Sequence, residues 1–108
     1  MRQFHTAVIE RQKEFTGNFE SQPYEAAWAS EAIFFIRVEK LRGEDSTLKA
    51  AVRLSADGVR WVDEGTCFPP ITAEGDYFVR VSHFGGWLSL RGEVSGGFRL
   101  TIQLVLKE

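Results

Sequence analysis

The chain has 108 residues, a net charge of −2 and an apolar content of 44%. This length fits one domain, and the absence of any run of Lys or Arg argues against nucleic acid as a partner. No apolar stretch approaches the roughly 18 residues of a membrane span, and the polar start has no apolar core of a secretion signal. We therefore expect a protein that stays in the cytoplasm or is assembled into a particle there, without a membrane partner.

The first thirty residues predict a strand over residues 3–10 and then a segment with scattered aromatic residues. The stretch "QPYEAAWASEA", residues 22–32, contains good helix formers, but Pro23 favours a loop or a single turn. We predict that residues 1–30 form an N-terminal strand and arm, and that residues 31–108 form the β-sandwich domain.

The next predicted strand, residues 32–41, is apolar on both faces. Phe34 and Ile36 alternate with Ile33 and Phe35, and a strand of this kind needs cover on both sides. The cover is either the chain's own N-terminal segment or another subunit, and both alternatives stay open. The predicted interface residues are Ile33, Phe35, Phe15, Phe19, Tyr24 and Trp28.

The rest of the chain alternates between apolar and polar residues, which is typical of half-buried strands. Glycine- and aspartate-rich breakers separate the apolar runs at short intervals. This pattern predicts an all-β fold, a single antiparallel β-sandwich of the jelly-roll-like type. The strands are expected at residues 47–54, 59–64, 76–82, 87–94 and 98–107.

The stretch "SADGVRW", residues 55–61, predicts a tight turn between two of these strands. Asp57-Gly58 is a strong hairpin signal because glycine accepts a positive φ, and the Ser55 hydroxyl can cap such a turn. Trp61 follows closely enough to cover the turn. We interpret Ser55, Asp57 and Gly58 as structural turn residues.

No grouping of residues predicts catalysis, a metal site or a cofactor. His5 and His83 lack partners at ligand spacing, and Cys67 is expected to be a buried, unreactive thiol. Calcium binding by turn acids such as Asp57, Asp63 and Asp76 is conceivable, but no calcium-loop motif supports it. We predict that the protein is not an enzyme.

Exposed aromatic residues suggest an alternative role. Sugar-binding proteins stack pyranose rings on Trp or Tyr, and Trp87 lies on the polar side of its predicted strand. The alternative hypothesis is a carbohydrate-binding module that uses Trp87 with Trp61 or Tyr77.

Four segments resemble a group of small β-sandwich proteins of bacterial and tailed-phage genomes. They are "FIRVEKLRG", "TLKAAVRLSADGVRW", "ITAEGDYFVRVSHFGGW" and "FRLTIQLVLKE", and the likeness covers about residues 30–108. The resemblance implies a β-sandwich with a virion-associated or particle-forming role, such as capsid decoration. The expected function is that of a structural protein that self-associates as a homo-oligomer, with a capsid or other particle protein as a further partner.

Overall fold

Six β-strands build the computed structural model, which describes residues 4–82 and 84–108. All strand pairings are antiparallel, which confirms the predicted all-β antiparallel sandwich. Within the described residues, no helix is long and apolar enough to cross a bilayer. The strands are β1 (Phe4–Glu20), β2 (Tyr24–Glu25), β3 (Glu31–Ser55), β4 (Val62–Cys67), β5 (Gly75–Ser82) and β6 (Trp87–Lys107).

The longest strand, β3, turns a corner in its middle. Its 25 residues would reach roughly 80 Å if they were straight, but the longest dimension of the molecule is 45 Å. The corner lies between Arg42 and Thr47, where the register against β6 shifts, and Asp45 takes a φ of 59° there. The predicted strands 32–41 and 47–54 are therefore two arms of one bent strand.

The corner divides the sheet into two half-sheets. In the first half-sheet the strand order is β1-β6-β3-β5, and in the second β4 replaces β5 beside β3. The first half-sheet contains residues 4–15, 98–107, 31–42 and 75–82, and the second contains residues 17–20, 24–25, 87–95, 47–55 and 62–67.

The inner faces of the two half-sheets enclose one apolar core. Phe34 and Ile36 of the first half-sheet and Leu48 of the second are almost fully buried in a single cluster. The smallest dimension of the molecule is 20 Å, which fits two sheets stacked about 10 Å apart with their outer side chains. The fold is a sandwich made by bending long strands over themselves.

The N-terminal segment is part of this sandwich. β1 pairs with β6 from Phe4 to Glu20, and β2 pairs with the same strand, so the pairing has no boundary at residue 30. Phe15 and Phe19 lie in the core. Residues 21–30 run as a loop around the two-residue β2, in agreement with the predicted loop. The described part of the predicted arm is thus packed on its own chain.

The turn at residues 55–58 is held by its own side chains. The Ser55 hydroxyl accepts a hydrogen bond from the Gly58 N–H at 2.8 Å, and Asp57 Oδ1 accepts from the Val59 N–H at 2.8 Å. Gly58 has a φ of 81°, and a β-carbon there would lie 3.1 Å from the Trp87 ring. The structural interpretation of this turn agrees with these contacts, although Trp87, and not Trp61, packs against its glycine.

The same turn explains why β4 begins later than expected. Asp57 Oδ1 also accepts from the Arg60 N–H at 3.0 Å, which keeps residues 59 and 60 in the turn. The predicted strand 59–64 is therefore displaced to Val62–Cys67.

Ser55→Ala is expected to lower the free energy of unfolding by about 1 kcal/mol, since Ser55 is 1% exposed and its hydroxyl accepts from the Gly58 N–H. The substitution also acts on Asp57. Backbone N–H groups of Arg60 and Val59, and then the Ser55 hydroxyl, hold the Asp57 pKa below its ordinary value. Without the hydroxyl, the Asp57 pKa should rise toward that value.

The sign of the pH dependence follows from this lowered pKa. The stability that charged Asp57 contributes is present above its unfolded-state pKa and is lost as the pH falls through the lower folded-state value. An NMR titration and urea unfolding of both forms measure the two effects. Ser95→Ala, at an exposed serine, should change neither, and an unchanged Asp57 pKa in Ser55→Ala would contradict the prediction.

Candidate interaction surface

The outer face of the first half-sheet carries apolar residues on each of its four strands, among polar and charged ones. Phe4 is 72% exposed, Phe78 is 49% exposed and Val8 is 41% exposed, whereas the inner-facing Ala7 and Val81 of the same strands are buried. Between them lie half-buried residues of β3 and β6. This surface, called here the apolar outer face, consists of Phe4, Val8, Ile33, Phe35, Phe78 and Val105.

Strand register brings these residues together. Phe35 stands opposite Gln103 on one side and Phe78 on the other, and the two phenylalanine rings are 6.0 Å apart. Ile33 stands opposite Val105 and Arg80 in the next row. Ile33, Phe35, Phe78 and Val105 therefore adjoin one another. Gln103 stands between Phe35 and Val8, and Lys107 stands opposite Phe4.

The apolar outer face is not covered by any other described segment. Antiparallel sheets usually present polar residues on the side that faces water. Here the adjoining Phe35 and Phe78, with Ile33 and Val105 in the next row, leave a contiguous apolar area open. Contiguous apolar patches of this kind mark interaction sites more often than isolated apolar residues do.

Charged residues border this face at the β5 edge. The Arg37 guanidinium lies 2.9 Å from Asp76 Oδ1, and both side chains are exposed. Their hydrogen bond raises the pKa of Arg37 above its ordinary value. The Arg80 guanidinium lies 5.0 Å from the centroid of the Phe78 ring.

The outer face of the second half-sheet has a different character. It carries a groove of about 690 Å³ between strands β1, β6, β3 and β4. Basic and acidic side chains alternate along the groove, in equal number. They are Lys49, Arg53, Arg91, Glu20, Asp63 and Glu93.

These charges compensate one another inside the groove. Arg53 forms a salt bridge with Glu20, and its guanidinium lies 4.8 Å from the Trp61 ring. Arg91 lies 3.9 Å from Asp63. Burial lowers the pKa of Arg53, and Arg91 adds to this effect. Four of the six groove charges are therefore paired, in contrast to the apolar outer face, which has no cover.

Comparison with known proteins finds a solved structure with a similar fold. A chain of the solved structure titled "Structure of infectious bursal disease virus Gx strain" matches with a TM-score of 0.64 and 13% sequence identity. The match covers 98% of this chain but only 32% of that chain, so this protein spans about a third of its length. No protein-family model matches, and no curated protein matches.

This likeness shows a shared fold. It supports a fold of the kind found in virus particles but does not single out the tailed-phage proteins whose motifs the sequence resembles. The sandwich surfaces of this chain must therefore be interpreted from its own residues.

The predicted interface residues are divided among three places. Ile33 and Phe35 belong to the apolar outer face. Phe15 and Phe19 contact each other edge to face in the core, with centroids 4.7 Å apart, so they stabilise the monomer. The others lie in the loop around β2, where Tyr24 is half-buried and Trp28 is 41% exposed.

The three predicted ligand-binding aromatics do not form one platform. Tyr77 stands opposite Ile36 in the first half-sheet, and its hydroxyl donates to the Ala73 carbonyl oxygen at 2.8 Å. Trp87 lies in the second half-sheet, with its ring against the turn glycine. The Arg53 guanidinium covers Trp61. No observation on these residues favours sugar binding.

The turn acids do not form a cation site within the described residues. Asp57 accepts hydrogen bonds within its turn, Asp63 lies near Arg91, and Asp76 pairs with Arg37. No group of three or more potential metal ligands occurs in the described part of the chain. His83 lies outside the described residues. Cys67 is exposed, so the expectation of a buried thiol is wrong.

Four members of the apolar outer face were not predicted as interface residues: Phe4, Val8, Phe78 and Val105. The sequence of β5 contained one indication of this surface. Phe78 lies on the same face of the strand as the charged Arg80, so it is an apolar residue on an otherwise polar face. Its position beside Phe35 depends on register, which the sequence does not specify.

Proposed function

We propose that this protein is a non-enzymatic structural protein that self-associates as a building block or accessory of a virus-type particle. The observation that carries the proposal is the apolar outer face, which the described residues of the chain leave open. The fold likeness to a chain of a virus structure supports the setting, and the sequence resemblance to phage-type sandwich proteins supports it further. In such a particle the protein would contact copies of itself and a capsid or other particle protein.

Residues of β3 alternate between the core and the apolar outer face. Ile33 and Phe35 point away from the core in a strand whose inner residues already fill it. Full burial of an exposed apolar side chain contributes about 1.5–3 kcal/mol, so the half-buried Ile33 and Phe35 contribute less each and the exposed Phe78 more. Several in one contiguous face can offset the entropy that association costs. A monomer would keep this apolar area in water.

The experiment compares assembly of the natural protein with that of an outer-face variant. Phe35→Thr/Phe78→Thr removes two adjacent rings and keeps residues that favour strands. We expect the natural protein to form oligomers at micromolar concentration in light scattering and native mass spectrometry. We expect the variant to be a folded monomer with an unchanged strand signal in circular dichroism.

Val59→Thr is the matched control. Val59 is 78% exposed but lies in the turn after Gly58, away from the apolar outer face. The control should assemble like the natural protein. A natural protein that stays monomeric, or a double variant that assembles normally, would refute the proposal.

A further inference from the structure

One edge of the first half-sheet is regular and unpaired. β5 pairs only with β3, in eight consecutive pairs from Glu31↔Ser82 to Val38↔Gly75 without a register shift. The other side of β5 has no strand partner among the described residues. An edge strand directs alternate N–H and C=O groups outward, where they can pair with another strand.

The other edges of the sheet are less suited to pairing. β1 contains register shifts between Val8 and Glu10 and between Glu10 and Lys13, and Gln12 takes a φ of 48°. β4 has six residues and a register shift against β3. Bulges and short strands are devices that keep an edge from pairing. β5 has neither.

The side chains of β5 are complementary to themselves. On its outer face, Asp76, Phe78 and Arg80 occur at two-residue intervals and are all exposed. Consider an antiparallel pair of two β5 strands with a two-fold axis at Phe78. A residue that lies a given number of positions before Phe78 then stands opposite the partner's residue that lies the same number of positions after Phe78. Asp76 then faces the partner's Arg80, Arg80 faces the partner's Asp76, and the two Phe78 rings meet.

We infer that a second copy of this chain pairs with β5, antiparallel and with the two-fold axis at Phe78, so that two first half-sheets join into one sheet of eight strands. This inference rests on the proposed self-association and names its edge and register. The rows of Phe35 and Phe78 then continue into the partner. The apolar outer face then extends across the two-fold axis.

The charges of the described residues fit this arrangement. Arg80 has no carboxylate partner within the described part of the chain, so it is available to the partner's Asp76. Asp76 already pairs with Arg37, and a carboxylate can serve two arginines. Glu14 does so in this chain, with Arg42 at 3.0 Å and Arg99 at 3.2 Å.

Other registers on the same edge lose these pairs. With the axis at Val79, Phe78 would face Arg80 and Asp76 would face Ser82. With the axis at Tyr77, Phe78 would face Asp76, and Arg80 would face Glu74, which lies outside the strand. Opposite charges across strands stabilise a pair, and only the axis at Phe78 forms two such pairs within β5 and also brings the two rings together.

Charge exchange tests the register. Asp76→Arg and Arg80→Asp each place like charges opposite one another twice, because of the two-fold axis. Each variant alone should weaken dimerisation about tenfold or more in analytical ultracentrifugation. The double variant should restore the dimer. A mixture of the two single variants should form mixed dimers, since its charges are again complementary.

Cysteine cross-linking tests the axis in a Cys67→Ser background. Phe78→Cys places two cysteines directly opposite, with Cα atoms about 4.5–5.5 Å apart, within disulfide range. Ser82→Cys is the control, because Ser82 faces Glu74 and the two introduced thiols would lie about 26 Å apart. Oxidation should link the first variant and leave the second unlinked.

The outcomes separate this inference from the proposed function. Assembly that is lost in Phe35→Thr/Phe78→Thr, but is unaffected by charge exchange and unlinked in Phe78→Cys, overturns edge pairing and keeps self-association. A natural protein that is monomeric at every concentration overturns both. Restoration by the double variant together with the Phe78→Cys link supports both.

Discussion

Gly92→Ala is expected to lower the free energy of unfolding by about 3 kcal/mol or more, which is a large share of the stability of a small domain. An added β-carbon at this position would lie 1.7 Å from the Lys49 carbonyl oxygen and 3.0 Å from the Ala50 Cα. Both atoms belong to the backbone of β3, which cannot move aside as a flexible side chain would.

The expected cost is high because Gly92 lies inside the sheet. It pairs with Phe19 of β1 on one side and with Ala50 of β3 on the other. Room for a methyl group therefore requires β3 and β6 to separate where they support the second half-sheet. The hydrogen bonds between these strands would lengthen together.

Urea unfolding followed by circular dichroism measures this effect. Gly85→Ala is the matched control, since its β-carbon would have no atom within 4 Å and Gly85 does not have a positive φ. The control should be neutral or stabilise the protein by about 0.4–1 kcal/mol through the unfolded chain. If the free energy of unfolding of Gly92→Ala lies within about 1 kcal/mol of that of the natural protein (about a fivefold change in the equilibrium), then β3 and β6 do not approach each other closely at Gly92.

The sequence predicted much of the sheet because strand alternation depends only on local burial. The runs in β3, β5 and β6 follow a period of two, and the structure confirms the antiparallel sandwich that they predicted. The turn at Ser55–Gly58 was also predictable, since its hydrogen bonds join residues at most three positions apart.

The corners of the long strands were not predictable in the same way. Residues 42–46 and 95–97 contain the glycines and polar residues of a turn, and these residue types serve equally in a hairpin or in a corner of a continuous strand. The choice depends on which strand lies alongside. Here β6 accompanies β3 on both sides of the corner.

β1 was predicted to end near residue 10 for a related reason. Its register shifts after Val8 and again after Glu10, and each shift moves the following side chains to the other face. The alternation therefore disappears from the sequence although pairing continues to Glu20. From its sequence alone, a strand with bulges has the same irregular pattern as a loop.

Only part of the apolar outer face could be predicted from the sequence. Ile33 and Phe35 revealed it because two apolar faces on one strand are unusual outside a buried sheet. Their neighbours come from three other strands and meet them only through register. The compensation of charges in the groove also joins residues far apart in the chain, such as Arg53 and Glu20.

Phe34→Ala and Phe35→Ala are expected to have very different effects on stability and on association, although the two residues are adjacent in β3. Phe34 is 1% exposed in the core, and its truncation should cost about 3–5 kcal/mol because it leaves a cavity. Phe35 is half-buried on the apolar outer face and contacts the exposed Phe78. Its truncation should cost the monomer only about 1 kcal/mol.

Assembly should respond in the opposite order, because only Phe35 offers surface to another molecule. Urea unfolding at low concentration measures the monomer, and light scattering at micromolar concentration measures association. We expect Phe34→Ala to be much less stable, with association retained in the fraction that stays folded. We expect Phe35→Ala to stay folded and to associate more weakly. If Phe35→Ala loses as much monomer stability as Phe34→Ala and associates normally, then this strand uses both faces for its own packing and the apolar outer face is not an interface.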